Sequence, residues 1–324
     1  MHAPGNAAWT RAGEVHRKFM EPSHVLHMEV VITGRTLKEG GELMKKRTTQ
    51  GLLVFAAALG AACIVAFGAN AAFAAGKEIT IKGSTTVLPI AQAAAEEFMD
   101  RNPGVVISVQ GGGSGVGIAA LLDRTTHIAA SSRRIKPEEV EKARAKGVNP
   151  NEIVVALDGI AVIVHPSNPV NALTKTQIKD IYTGKISNWK DVGGRDSKIV
   201  VVSRDTSSGT YEAFETLAID KEKVRPDALT TASNQAVAQT VAQTPLAIGY
   251  VGHGYLGKKV KDVTVDGVTC TRQNIQSGRY PLSRKLYMYT PGKPEGDVAK
   301  FIDFVLGKDG QKIVVEEGFV DVPK

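Results

Sequence analysis

Three times along this chain a short β-rich run ends in a loop of glycine and hydroxyl residues that leads into a helix-like segment. The runs are Ile79-Thr80-Ile81-Lys82, Val105-Val106-Ile107-Ser108-Val109 and Ile199-Val200-Val201-Val202. The loops after them are Gly83-Ser84-Thr85-Thr86, Gly111-Gly112-Gly113-Ser114-Gly115 and Arg204-Asp205-Thr206-Ser207-Ser208-Gly209-Thr210. Strand, loop and helix in that order commit a chain to a parallel or mixed sheet covered by helices. Helical spacing is read over 88–99, through Ile118, Leu121 and Leu122, and over 137–146. A strand is expected at 127–130, and two apolar runs, 153–157 and 160–164, are separated by Asp158-Gly159. The second half repeats this order. Helices are expected at 174–181 (with Thr174 as cap), 211–217 and 234–243, strands at 247–251 and 286–289, a hairpin around Asp266-Gly267, and a closing amphipathic helix at 297–308. Two α/β lobes with mixed sheets and a ligand cleft at the hinge fit this layout.

The first 75 residues read as something other than fold. Met44-Lys45-Lys46-Arg47 is a basic start, an apolar run spans 51–68, and Ala72-Phe73-Ala74 has the small-x-small form of a cleavage site. Residues 44–75 are therefore expected to be a secretory signal peptide, with a membrane anchor as the competing reading. Residues 1–43 lack hydrophobic periodicity and precede a start-like Met44, so they are read as a mis-called or disordered extension. A lipid anchor at Cys63 fits less well, because Leu59 lies four residues before it rather than three.

The whole chain carries a net charge of +7, and beyond residue 75 it holds 32 Lys/Arg and 28 Asp/Glu, a net +4. That is too mild for a nucleic-acid-binding surface and suits an anionic ligand. Only Cys270 of the two cysteines lies beyond residue 75, so the exported form has to rely on its core rather than on a disulfide.

The glycine loops were tested against known chemistry. A dinucleotide fingerprint starting at Gly111 meets Val116 at its third glycine position, and one starting at Gly113 meets Ile118. Gly117 is followed by Ile118 where a P-loop needs lysine. A nucleophile elbow needs glycines two residues either side of its serine, but Ser114 has Gly112 before it and Val116 after it, and Ser208 has Thr206 before it. His127, His165 and His253 have no metal-ligand spacing, and no cofactor is expected. What the loops do offer is unpaired backbone N–H groups at helix starts, which favour anions. Ordinary capping accounts for the hydroxyls one loop at a time. It leaves the glycines unexplained, since their use is close approach of a backbone to a ligand. Arg204 is read either as a surface partner of Asp205 or Glu212 or as a charge-assisted contact to an oxyanion.

At these residues the chain resembles the phosphate-binding proteins of bacterial phosphate ABC transporters, within the periplasmic substrate-binding superfamily. The resemblance runs through Gly83-Ser84-Thr85-Thr86-Val87-Leu88-Pro89, Gly112-Gly113-Ser114-Gly115, Ala130-Ser131-Ser132-Arg133 and Ile186-Ser187-Asn188-Trp189-Lys190-Asp191-Val192-Gly193-Gly194. It continues in Arg204, Ser208-Gly209-Thr210, Ile248-Gly249-Tyr250-Val251 and Tyr280-Pro281-Leu282-Ser283-Arg284. It implies a type II binding-protein fold with lobe I at 76–158 and 279–324 and lobe II at 159–278. It also implies that the protein is a periplasmic, monomeric, non-catalytic receptor that hands inorganic phosphate to membrane permease subunits. The implied phosphate ligands are Thr85, Thr86, Ser114, Ser132, Arg204, Ser208, Gly209 and Thr210. Family members place an aspartate where this chain has Ser132, and that carboxylate accepts the proton of phosphate and repels sulfate. A hydroxyl accepts a proton without repelling sulfate. A receptor for another tetrahedral oxyanion and a secreted phosphohydrolase on the same scaffold remain the alternatives.

Overall fold

The computed structural model describes residues 78–323. The expected leader, its cleavage motif and Cys63 lie outside them. The first strands are β1 (Glu78–Gly83), β2 (Val106–Gln110) and β3 (Ile128–Ser131), linked through helices α1 (Leu88–Arg101) and α2 (Ser114–Leu122). Helix α3 (Pro137–Ala145) leads to β4 (Asn151–Val164), and β5 (Ala172–Leu173) to α4 (Lys175–Thr183). Next come β6 (Val200–Arg204), α5 (Gly209–Leu217), β7 (Leu229–Thr231), α6 (Asn234–Gln243) and β8 (Ala247–Gly252). Two short strands, β9 (Lys261–Asp262) and β10 (Thr264–Val265), precede α7 (Arg272–Gln276), β11 (Ser283–Thr290), α8 (Gly296–Leu306) and α9 (Lys308–Glu316).

The strands order as β2-β1-β3-β11-β4-β8-β6-β7, with β9 also on β4. Strand β4 joins the two halves of this sheet. Its residues up to Gly159 pair antiparallel with β11, and those from Ile160 onward pair with β8. The sequence suggests two runs broken at Asp158-Gly159, whereas the structure has one continuous strand. Asp158 does not interrupt it because Arg284 of β11 and the backbone N–H of His253 satisfy its carboxylate, and Gly159 stays in register opposite Ser283.

Each half has its own core. Ile81, Ile90, Phe98, Met288, Phe301 and Val314 cluster on the first half, under α1, α8 and α9. Ile163, Tyr182, Trp189, Phe214, Val237 and Tyr250 fill the second, under α4, α5 and α6. Burial of these apolar faces supplies the main driving force for each lobe. The α/β, two-lobed, mixed-sheet architecture is the one expected.

One local reading needs correction. The 263–268 segment does turn at Asp266 and Gly267, both at positive φ, but only Val265 and Val268 bridge across it. Residues Thr264–Val265 instead run parallel to Ala172–Leu173. The closing amphipathic helix expected at 297–308 is α8 (Gly296–Leu306), and a further helix, α9, follows it across Gly307. Among the described residues, no helix is long and apolar enough to cross a membrane.

Candidate functional site

Strands β1, β2, β3 and β6 all end on the same side of the molecule, and the loops after them meet there. Ligands of open α/β sheets bind at such carboxyl ends. Gly83 makes the first turn possible. Its φ is +135°, and a Cβ there would lie 2.2 Å from the carbonyl of Ala130, which accepts the N–H of Ser84. The Ser84 hydroxyl then caps the turn by accepting the N–H groups of Thr86 and Val87. This leaves the Thr85 and Thr86 side chains for the cleft. Gly113 donates its N–H to Gly83 at 2.9 Å, which fixes the start of α2 and the position of Ser114 beside β3. There the Ser114 hydroxyl accepts the N–H of Ser132 at 3.0 Å.

From the other half-sheet come Arg204, at the end of β6, and Thr210, in the first turn of α5. Arg204 is 3% exposed, so the reading of a surface ion pair fails. Its guanidinium is aimed by the carbonyls of Thr231 (3.1 Å) and Ala232 (3.0 Å), and it reaches Thr85 Oγ1 at 3.3 Å. Asp205 is its nearest carboxylate, at 3.5 Å, while Glu212 pairs elsewhere. Burial pulls the Arg204 pKa below the ordinary guanidinium value; Asp205 opposes this, and the positive charge of Arg284 adds to it. The guanidinium nonetheless keeps its charge, and as a buried cation with Asp205 at 3.5 Å as its carboxylate partner it suits an anionic ligand.

The two halves meet through hydroxyls. Thr86 Oγ1 lies 2.8 Å from Thr210 Oγ1, and Ser132 Oγ is 3.5 Å from the same atom and 3.3 Å from Ser114 Oγ. The backbone N–H of Gly115 also reaches the carbonyl of Ser207 at 3.0 Å. Of the ligand residues expected from the sequence, Thr85, Thr86, Ser114, Ser132, Arg204 and Thr210 form one buried cluster. Gly209 abuts it, since a Cβ there would lie 2.2 Å from Ser114 Oγ. Ser208 has the ordinary capping role at α5, accepting the N–H of Tyr211 at 3.2 Å, and its own hydrogen remains free to donate.

Sequence reasoning missed Asn234, Arg284, Asp158 and Tyr255. Asn234, the first residue of α6, donates to both Thr85 Oγ1 and Thr86 Oγ1 at 3.0 Å. Arg284 reaches Thr86 Oγ1 at 3.3 Å and is held by the fully buried Asp158 at 2.7 Å. Tyr255 donates its hydroxyl to the Thr85 carbonyl. A carboxylate inside the 153–164 apolar run was a usable signal for Asp158, because buried charges need partners. Arg284 ends one of the stretches that carried the resemblance. Nothing local marks Asn234 beyond its place after a capping serine.

A curved α/β sheet in two halves, with a buried polar cluster where the halves meet, defines a two-lobed binding protein. The description of a PBP superfamily domain matches residues 68–309. Over 246 residues, 75% of this chain and 80% of the relative, the chain is 37% identical to the phosphate-binding protein PstS of Bacillus subtilis. It is 33% identical to that of Pseudomonas aeruginosa PAO1 over 307 residues, 86% of this chain and 95% of the relative. A Clostridium perfringens chain described as a phosphate ABC transporter substrate-binding protein, solved with bound phosphate, superposes with a TM-score of 0.72 at 38% identity. That superposition covers 76% of this chain and all of the other. An ABC-type phosphate transport receptor from Vibrio cholerae gives 0.64 at 35%, with the same coverage. The chain belongs to the PstS family of the PBP superfamily.

Proposed function

We propose that this protein is an exported, non-catalytic receptor that closes its two lobes on one inorganic phosphate and delivers it to the membrane permease subunits of a phosphate ABC transporter. The observation that carries the reading is the buried cluster of Thr85, Thr86, Ser114, Ser132, Arg204 and Thr210, drawn from both halves of the sheet. Ser208 and Gly209 complete the shell from the start of α5. The lobes divide as 76–158 with 279–324, and 159–278. This division is supported by β4 changing partner from β11 to β8 between Gly159 and Ile160, and by the chain returning at Ser283 opposite Gly159. The reading takes 44–75 as a cleaved leader that sends the receptor to the periplasm, and has the receptor act as a monomer.

Capture follows from the geometry. Each lobe supplies part of the shell, so the anion binds the closed state better than the open one and shifts the population toward it. The charge of Arg204 and the donors around it stabilise the anion in a water-poor site, where such contacts are stronger than in solution. Calorimetric titration with phosphate, arsenate and sulfate tests the reading. Phosphate and arsenate should bind the same site competitively, with sulfate weaker. Sulfate binding as tightly as phosphate would overturn specificity for phosphate and leave a receptor for tetrahedral oxyanions.

A further inference from the structure

The hydrogens around the anion cluster can be counted, and the count turns on Asn234. This side chain is fully buried. Its Oδ1 accepts the N–H of Gly252 at 3.0 Å, so its Nδ2 faces the cluster, with one hydrogen each for Thr85 Oγ1 and Thr86 Oγ1. Each hydroxyl also faces a guanidinium, Arg204 at Thr85 and Arg284 at Thr86, both at 3.3 Å. Amide and guanidinium nitrogens only donate, and a hydroxyl oxygen has two lone pairs. Both threonines therefore have their accepting capacity filled, and each has to spend its hydrogen outward. Thr86 spends it on Thr210 Oγ1 at 2.8 Å, which leaves the Thr210 hydrogen for the space toward Ser132. The Thr85 hydrogen has no acceptor among the described residues.

We propose that Asn234 is a positioning residue that sets the hydrogen polarity of the site, holding Thr85 and Thr86 as donors so that this wall accepts only unprotonated ligand oxygens. The inference deepens the phosphate reading and rests on it. A phosphate proton is directed away from the threonine wall and toward Ser114 and Ser132, whose hydroxyls bond each other and, with the Ser132 N–H and Thr210 donating to them, keep one lone pair between them. Replacing the amide by a group that cannot donate frees the threonine lone pairs. The wall then takes a protonated oxygen as readily as a bare one.

The test is calorimetric titration of Asn234→Ala and Asn234→Asp with phosphate and sulfate. It is run near pH 8, where phosphate is mostly doubly charged, and near pH 5.5, where it is mostly singly charged. Each affinity is normalised to the unsubstituted protein at the same pH. This cancels the contributions of the groups around the amide: Arg204, Arg284, Asp158, Tyr250, Tyr255 and His253. Near pH 8, Asn234→Ala should lose phosphate affinity about tenfold, and Asn234→Asp, which puts an acceptor in the donor's place, about a hundredfold. Both losses should shrink for phosphate near pH 5.5 and stay unchanged for sulfate. Asn234→Leu replaces Asn234→Ala if the latter does not fold, as judged by its unligated melting temperature, because the charge added by Asn234→Asp itself repels doubly charged phosphate more than singly charged. Equal losses at both pH values would reduce Asn234 to a structural anchor, and retained affinity would overturn its role altogether. Failure of the unsubstituted protein to bind phosphate would instead overturn the receptor reading, and this proposal with it.

Discussion

Arg204 is the one cation that the β6 strand end delivers into the cluster, and its value lies in being aimed as well as charged. Two backbone carbonyls hold the guanidinium plane while its Nη1 turns toward Thr85. Arg204→Lys keeps the charge and three donors, but on a single nitrogen that cannot reach the three acceptors which Nε, Nη1 and Nη2 reach separately. It should cost phosphate affinity roughly tenfold, and Arg204→Ala about a hundredfold or more, as expected for a buried charge-assisted contact. Titration calorimetry reads both, and wild-type affinity in Arg204→Ala would mean the anion binds elsewhere. Tyr255 makes a second residue-scale prediction. Burial pushes its pKa up to about 12, a change that the positive charge of Arg204 opposes, and it donates its hydroxyl to the Thr85 carbonyl. An acid whose folded pKa lies above its unfolded value, about 10 for tyrosine, keeps its stabilisation below the unfolded value. It loses it as pH rises toward the folded one. Stability should therefore fall between about pH 10 and pH 12. Burial raises Tyr182, Tyr250, Tyr280 and Tyr289 in the same direction, so the slope is shared. Tyr255→Phe should make it shallower by about one proton in denaturation followed against pH.

At the scale of elements, the strand–loop–helix units were legible because their signals are local. Thr174 caps α4 as its position implied, accepting the N–H of Gln177 at 3.1 Å, and the 234–243 helix has the bounds its periodicity suggested. Features set by partners distant in sequence were not legible. Asp158 looks like a break until Arg284 is placed beside it from the next strand. Helix α9 was not read; glycine is a poor helix former, and Gly310 stands in its first turn for a reason of packing. A Cβ there would lie 2.3 Å from the Phe304 carbonyl, so glycine lets α9 fold back on α8. The site followed the same division. Cluster residues in glycine-bearing loops next to helix starts were readable, whereas Asn234 follows a capping serine with no glycine beside it and Arg284 lies within a strand. Gly209 connects the two scales. It starts α5 and would, as alanine, drive a methyl to 2.2 Å from Ser114 Oγ and 2.8 Å from Ser132 Oγ across the cleft. The clash exists only while the lobes are together. Gly209→Ala should leave the unligated melting temperature within about a degree or two, since alanine suits a helix at least as well as glycine. It should also lower phosphate affinity by about two orders of magnitude, because overpacking of this kind opposes closure. A large loss of unligated stability would show that the residue matters for folding rather than for closing.

For the whole molecule, the question is what holds two separate cores together once the anion is in place. Besides the hydroxyl cluster, one ion-pair group spans the cleft. Glu212 of α5 takes Arg133 Nε at 2.9 Å and Lys136 Nζ at 2.6 Å, and Arg133 is also held by Glu139 at 2.7 Å. Arg133 and Glu212 are largely buried, at 8% and 15% side-chain exposure, so this pair is screened less than a surface one. Burial works against the Arg133 charge, but Glu139 and Glu212 more than offset it and its pKa ends above the ordinary value. Removing Glu212 leaves Arg133 its Glu139 partner, so the first lobe keeps its fold while the closed state loses a contact that the open state never had. A contact confined to the closed state slows opening without affecting the first encounter with ligand. Glu212→Ala should therefore raise the phosphate dissociation rate roughly tenfold and leave the association rate within about twofold. Stopped-flow release into a phosphate scavenger measures the first and rapid mixing the second. An unchanged dissociation rate would mean that the anion, its hydroxyl shell and the Gly115–Ser207 and Asn234 contacts hold the lobes closed without this ion-pair group, which then serves only to orient α5.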